Sequence, residues 1–150
     1  MRVKMCGMRT ITAACAAEEA GADYIGFIFA ESSRRYIAPE AARKIARTLR
    51  HVKKVGVFVD APMSDVNAIA GLVGLDYVQL HGHETAEMAK ESQYPVIKAY
   101  RYGNDFDADA ANAYPAEMIL VDSYVQGAAG GTGTVSYTHL RAHETGRNLV

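Results

Sequence analysis

The sequence predicts an α/β fold of repeated strand–helix units and leans towards a parallel barrel of which about six of eight units are present. Three observations carry this. Short β-branched and aromatic runs alternate with longer alanine-rich, charged segments of helical period, the pattern of strands and helices wound around a parallel sheet. No Gly-x-Gly-x-x-Gly turn follows the first strand, so the phosphate-binding hallmark of a doubly wound dinucleotide fold is missing. Polar residues gather instead at the C-terminal ends of several strands, as they do at the working rim of a barrel. Cys6, Asp60, His81 and Asp122 hold such positions.

In order, strands are expected at Val3–Cys6, Tyr24–Phe29, Lys54–Val59, Tyr77–Leu80, Val96–Tyr100 and Met118–Val121. Helices are expected between them, over Thr10–Ala20, Pro39–Leu49, Met63–Val73, Thr85–Ser92 and Phe106–Ala113. Pro39 suits a first helical turn, where its missing N–H costs no bond. The run Gly21-Ala22-Asp23-Tyr24-Ile25 recurs as Gly74-Leu75-Asp76-Tyr77-Val78, each time where a helix hands over to a strand. Both glycines suit the left-handed position that ends a helix. Two common glycine-capped turns would give the same echo by coincidence, and the alternation stands either way.

After Gly130-Gly131-Thr132-Gly133-Thr134 the character changes. Residues 135–150 continue neither the strand rhythm nor a useful amphipathic helix, and they resemble translated adapter sequence, to be kept out of fold reasoning; a native polar tail is the alternative. The expected division is a partial barrel domain over 1–134 and a non-native tail over 135–150. His139 and His143 fall on one helical face, but two histidines alone do not make a metal site.

Sixteen Lys and Arg against 17 Asp and Glu give a net charge of -1. Such a balance supplies no field to hold nucleic acid or coat an acidic membrane, so any anionic ligand must be gripped locally. Two cysteines, Cys6 and Cys15, are too few for a secreted disulfide framework and read as reduced thiols of a cytoplasmic protein. Thr12-Ala13-Ala14-Cys15 resembles a lipoprotein cleavage box, but the apolar run before it is too short. No window approaches a membrane span.

Lys4 and Cys6 lie two apart on one strand face, and an ammonium nearby favours thiolate, which makes Cys6 a candidate base or nucleophile. A buried, inert thiol is the alternative, and Cys15, in an alanine-rich helix, is assigned to packing. Ser32-Ser33-Arg34-Arg35-Tyr36 reads as a rim loop whose arginines suit a carboxylate or phosphate; a solvated basic loop is the alternative. Gln79 and His81 alternate with apolar residues and point to one side of their strand. A zinc set of Cys6, His81, His83 and Glu84 is disfavoured, because two histidines around a glycine fix no ligand geometry. Asp122 ends a hydrophobic strand, where a tight low-dielectric site suits proton donation; a helix cap or loop residue is the alternative. The Gly127–Gly133 stretch reads as a lid or an anion-binding backbone and lacks the residue order of a Walker loop.

As a set, Lys4-Met5-Cys6-Gly7, Gly26-Phe27-Ile28-Phe29 with Ser33-Arg34-Arg35-Tyr36, Gly56-Val57-Phe58-Val59, Val78-Gln79-Leu80-His81-Gly82, Leu120-Val121-Asp122 and Gly130-Gly131-Thr132-Gly133 resemble the phosphoribosylanthranilate isomerases of tryptophan biosynthesis, from Met1 to about Thr134. The resemblance implies an incomplete (βα)8 TIM barrel. It implies no metal and no cofactor, and an Amadori rearrangement of N-(5-phosphoribosyl)anthranilate to 1-(2-carboxyphenylamino)-1-deoxyribulose 5-phosphate. Asp122 would be the general acid and Cys6 the general base. Arg35 would meet the anthranilate carboxylate, Gln79 and His81 would line the sugar pocket, and Gly130 and Gly131 would contact substrate.

Strands seven and eight, which usually hold the phosphate in such barrels, are missing from the pattern. The chain as it stands is therefore expected to lack turnover and to expose apolar edges on its first and sixth strands, open to self-association. Other sugar-phosphate barrels, such as a ribulose-phosphate epimerase or an indoleglycerol-phosphate synthase, would need metal ligands or a lysine with glutamates at the strand ends. A non-catalytic partial-barrel fragment is the remaining alternative.

Overall fold

A computed structural model describes residues 2–102 and 106–123. Six strands, β1 (Lys4–Cys6), β2 (Tyr24–Ile28), β3 (Lys53–Phe58), β4 (Tyr77–Leu80), β5 (Val96–Tyr102) and β6 (Met118–Ser123), alternate with five helices among the described residues. These are α1 (Ile11–Glu19), α2 (Pro39–Ala46), α3 (Met63–Val73), α4 (Ala86–Lys90) and α5 (Ala108–Ala113). The strands form one sheet in the order β1-β2-β3-β4-β5-β6, with every neighbouring pair parallel. A doubly wound sheet reverses its strand order partway. Strict sequential order with crossovers of one hand keeps the helices on one face and curls the other inward, which is the barrel arrangement.

Side-chain contacts prove the curl. Lys4 on β1 donates to Gln79 Oε1 on β4 at 2.7 Å, although two strands separate them in the sheet. Residues alternate between two cores, as the pleat requires. Ile25, Phe27, Phe58, Val78 and Leu80 face the helix layer. Tyr24, Val55, Ile97 and Met118, with Tyr77 and Leu120 against them, fill the concave side. All five residues of β2 are buried, the burial expected of a strand covered on both faces.

The element order matches the expectation throughout, and the ends move for identifiable reasons. Thr10, Thr85 and Asp107, read as helical or adjoining, are caps whose side chains accept from Ala13, Met88, and Asp109 with Ala110. The last residues expected in α2 and α4 instead close tighter turns, Thr48 N–H to the Ile45 carbonyl at 2.9 Å and Ser92 N–H to that of Ala89 at 3.2 Å. Strands β5 and β6 run two residues further than the apolar pattern suggests, because Arg101 pairs with Asp122 and Tyr102 with Ser123.

The internal echo is structural. Gly21 and Gly74 both adopt positive φ, +85° and +78°. The aspartate that follows each one ties down the strand before its own: Asp23 accepts the Val3 N–H at 2.7 Å, and Asp76 the Lys54 N–H at 2.8 Å. Among the described residues β1 and β6 are the outer strands. Met5 on β1 is 42% exposed. No helix among the described residues is long and apolar enough to cross a membrane.

Candidate active site

The C-terminal ends of the strands assemble the polar residues. On β1 the alternation turns Met5 outward and leaves Lys4 and Cys6 on the concave side. Gly26, the register partner of Cys6 on β2, makes room for the thiol: a Cβ there would lie 2.7 Å from Cys6 Sγ. The next residue, Gly7, turns at φ +85°, and Arg35 crosses directly above it, with its Nη1 donating to the Cys6 carbonyl at 2.9 Å. The arginine loop therefore lies against the cysteine turn. Arg35 is exposed, so its fork is open to a ligand carboxylate from the solvent side.

On the far side of the curl, Gln79 is buried on the concave face of β4. Gln79 Nε2 lies 3.1 Å from His81 Nδ1, and His81 Nε2 lies 3.9 Å from Asp122 Oδ2 at the end of β6. Lys4, Gln79, His81 and Asp122 thus make one polar line from β1 to β6 across the interior. Burial pushes the His81 pKa down; Asp122 opposes this, and Arg101, Lys4 and Lys98 add to it. The Lys4 ammonium, expected beside the thiol, donates to Gln79 Oε1 at 2.7 Å.

The structure separates the residues of the disfavoured zinc set. His81 faces Gln79 and Asp122, while His83 turns outward to Asp60, its N–H donating to Asp60 Oδ1 at 2.6 Å. That bond is the main reason the Asp60 carboxyl sits below the usual range. Asp60 is also the one non-glycine residue with positive φ among those described, +51°. Glu84 is bound elsewhere, as follows.

Sequence reasoning passed over a buried ion pair. Lys98, on the helix-facing side of β5, meets Glu84 Oε2 at 2.7 Å with side chains only 4% and 1% exposed. Its ammonium also donates to the Gly82 carbonyl at 2.7 Å and sits between the rings of Tyr100 and Tyr114. The Glu84 carboxylate accepts in addition from the Asp60 and Gly82 N–H groups. This clamp joins the ends of β3, β4 and β5. A lysine in the apolar run Val96-Ile97-Lys98-Ala99-Tyr100 was the available signal, since lysine is seldom buried without a partner. A cavity of about 570 Å³ opens beside the clamp, with Asp60, His81, Lys98, Tyr100, Arg101 and Tyr114 among its walls. Another hollow, of about 350 Å³, lies at the opposite rim beside Glu18, Asp23 and His51.

The expected contacts of Gly130 and Gly131, and the change of character after Thr134, lie outside the described residues.

Comparison with known proteins agrees with the fold. A family model described as N-(5'phosphoribosyl)anthranilate (PRA) isomerase matches residues 3–143. The N-(5'-phosphoribosyl)anthranilate isomerase of Desulforamulus reducens is 45% identical over 141 residues, which cover 93% of this chain and 67% of the relative. The crystal structure of phosphoribosyl anthranilate isomerase from Thermus thermophilus superposes with a TM-score of 0.79 at 42% identity, over 85% of this chain and 64% of that one. A phosphoribosyl anthranilate isomerase in complex with reduced 1-(o-carboxyphenylamino)-1-deoxyribulose 5-phosphate does so with a TM-score of 0.77 at 39% identity, over 83% and 66%. The chain spans about two thirds of the length of the relatives it matches.

Proposed function

The chain belongs to the N-(5'-phosphoribosyl)anthranilate isomerase family, and from that premise we propose that its strand-end rim isomerises N-(5-phosphoribosyl)anthranilate, with Asp122 as general acid and Cys6 as general base. The observation that carries the reading is the gathering of Cys6, Arg35, His81 and Asp122 on one rim of a single curled sheet, from strands far apart in sequence. The related structure bound to a reduced form of the expected product supports the substrate class.

In this reading Asp122 gives its proton to the furanose ring oxygen as the C1–O bond breaks, and the anthranilate nitrogen lone pair forms the C1=N iminium. The iminium is an electron sink that acidifies C2. Cys6 thiolate removes the C2 proton, and the electrons pass through C2=C1 to nitrogen to give an enolamine. Protonation at C1 and loss of the O2 proton yield the ketone, so atoms and charge balance without an external oxidant. Each proton transfer needs only a positioned group of suitable acidity. Arg35 orients the anthranilate carboxylate, Gln79 and His81 line the sugar pocket, and backbone N–H groups at Gly130 and Gly131 contact substrate.

In a tryptophan-requiring strain that lacks this isomerase, the whole protein is expected to restore growth, while Cys6→Ala and Asp122→Asn versions expressed at equal levels do not. Growth with both variants would remove the acid–base assignment.

A further inference from the structure

The polar line from β1 to β6 fixes protons as well as contacts. The Lys4 ammonium has donors and no acceptor, so the Gln79 atom 2.7 Å from it is the carbonyl Oε1. The other end of the same amide is then the NH2 group, which only donates, and it lies 3.1 Å from His81 Nδ1. Nδ1 must accept and therefore carries no proton. The single N–H of the ring is left on Nε2, the nitrogen that faces Asp122 Oδ2 at 3.9 Å.

We propose that Lys4 and Gln79 are positioning residues that lock His81 as the neutral Nε2–H tautomer and so aim a proton donor at Asp122. A proton on Nδ1 would set N–H against N–H at 3.1 Å. The charged groups around the ring are Asp122 on β6, Arg101 and Lys98 on β5 and Lys4 on β1; burial and the three cations favour the neutral ring, and Asp122 alone opposes them.

The consequence, though not the geometry, rests on the reading of Asp122 as the acid. A charged His81 would pair with Asp122 and hold it ionised. A neutral ring places no positive charge beside the carboxyl and leaves it able to carry the proton for the sugar ring oxygen.

The test is long-range 15N NMR of the histidine rings in the full chain. In the unmutated protein the His81 Nδ1 is expected to resonate as an unprotonated nitrogen and Nε2 as a protonated one, with a titration midpoint below the ordinary histidine value. Gln79→Glu turns the facing group into an acceptor. It should move the proton to Nδ1 and raise the midpoint by about one pH unit or more. Lys4→Met should free the amide to turn over and draw the two nitrogen shifts towards each other. A protonated Nδ1 in the unmutated protein overturns the proposal by itself, even if a variant fails to fold. An unchanged tautomer in both folded variants overturns it too. The expected tautomers with an active Asp122→Asn enzyme would instead overturn the acid assignment and leave the lock standing.

Discussion

The two rims of the sheet use the same residue types for opposite purposes. At the N-terminal rim three carboxylates are spent on backbone donors: Glu18 accepts from the N–H groups of Arg50, His51 and Val52, Asp23 from Val3, and Asp76 from Lys54. The three N–H bonds hold the Glu18 pKa at about 2. At the C-terminal rim the Cys6 thiol, the Arg35 fork and the His81–Asp122 pair touch neighbours on one side and leave the other open. Carboxylates spent on backbone donors hold strands together, and polar groups left partly exposed at strand C-terminal ends are available to a ligand.

The Lys98–Glu84 clamp is the exception, a fully paired site at the C-terminal rim, and breaking it is the most severe test of the contrast. Lys98→Ala leaves a carboxylate buried with its cation gone and is expected to cost about 3–5 kcal/mol of unfolding free energy, read from urea unfolding. A loss under about 1 kcal/mol would mean that the pair is not dry.

Gly26→Ala sharpens the other side of the comparison. The added methyl meets Cys6 Sγ and also crowds Cys6 Cα on the paired strand, so kcat is expected to fall about 100-fold, the usual result of an ångström-scale misplacement, with a smaller loss of stability, about 1 kcal/mol, from the overpacking. Equal loss of stability and rate would make Gly26 a packing residue only.

Glu18→Gln acts on the opposite rim and should move stability without moving rate. Because the folded pKa is depressed from 4.5 to about 2, the Glu18 contribution is fully present above about pH 4.5 and fades as the pH falls towards 2. The unmutated protein should lose stability across that acid window, and Glu18→Gln should flatten that part of the profile. The smallest effect is expected from Asp76→Asn. Burial works against its charge, and the Lys54 N–H with the Lys54 and Lys53 ammonium groups outweighs that, so the variant should be slightly less stable near neutrality, with an unchanged rate.

How far the sequence alone reached differs between these rims for the same physical reason. Strand–helix alternation, the limits of α3 and the glycine–aspartate echo are local patterns and were legible. Cys6, His81 and Asp122 were legible as strand-end polar residues and Arg35 as part of a rim loop, and the family likeness implies their roles. The clamp was not, because Glu84 and Lys98 come together only when β4 and β5 align, and no local rule links a loop carboxylate to a lysine 14 residues on. The hold of Lys4 on Gln79 spans 75 residues and depends on how tightly the sheet curls. The extension of β5 to Tyr102 came from its partner strand and not from its own residues.

The most direct measurement of the central claim is the decay of phosphoribosylanthranilate fluorescence catalysed by the purified whole protein and four variants, two from each rim. Cys6→Ala and Asp122→Asn are expected to lose turnover to background while keeping the circular dichroism of the unmutated protein, and Glu18→Gln and Asp76→Asn are expected to keep its kcat/KM within about twofold. Turnover surviving in both C-terminal-rim variants, or lost equally in folded N-terminal-rim variants, would contradict the division of labour between the rims.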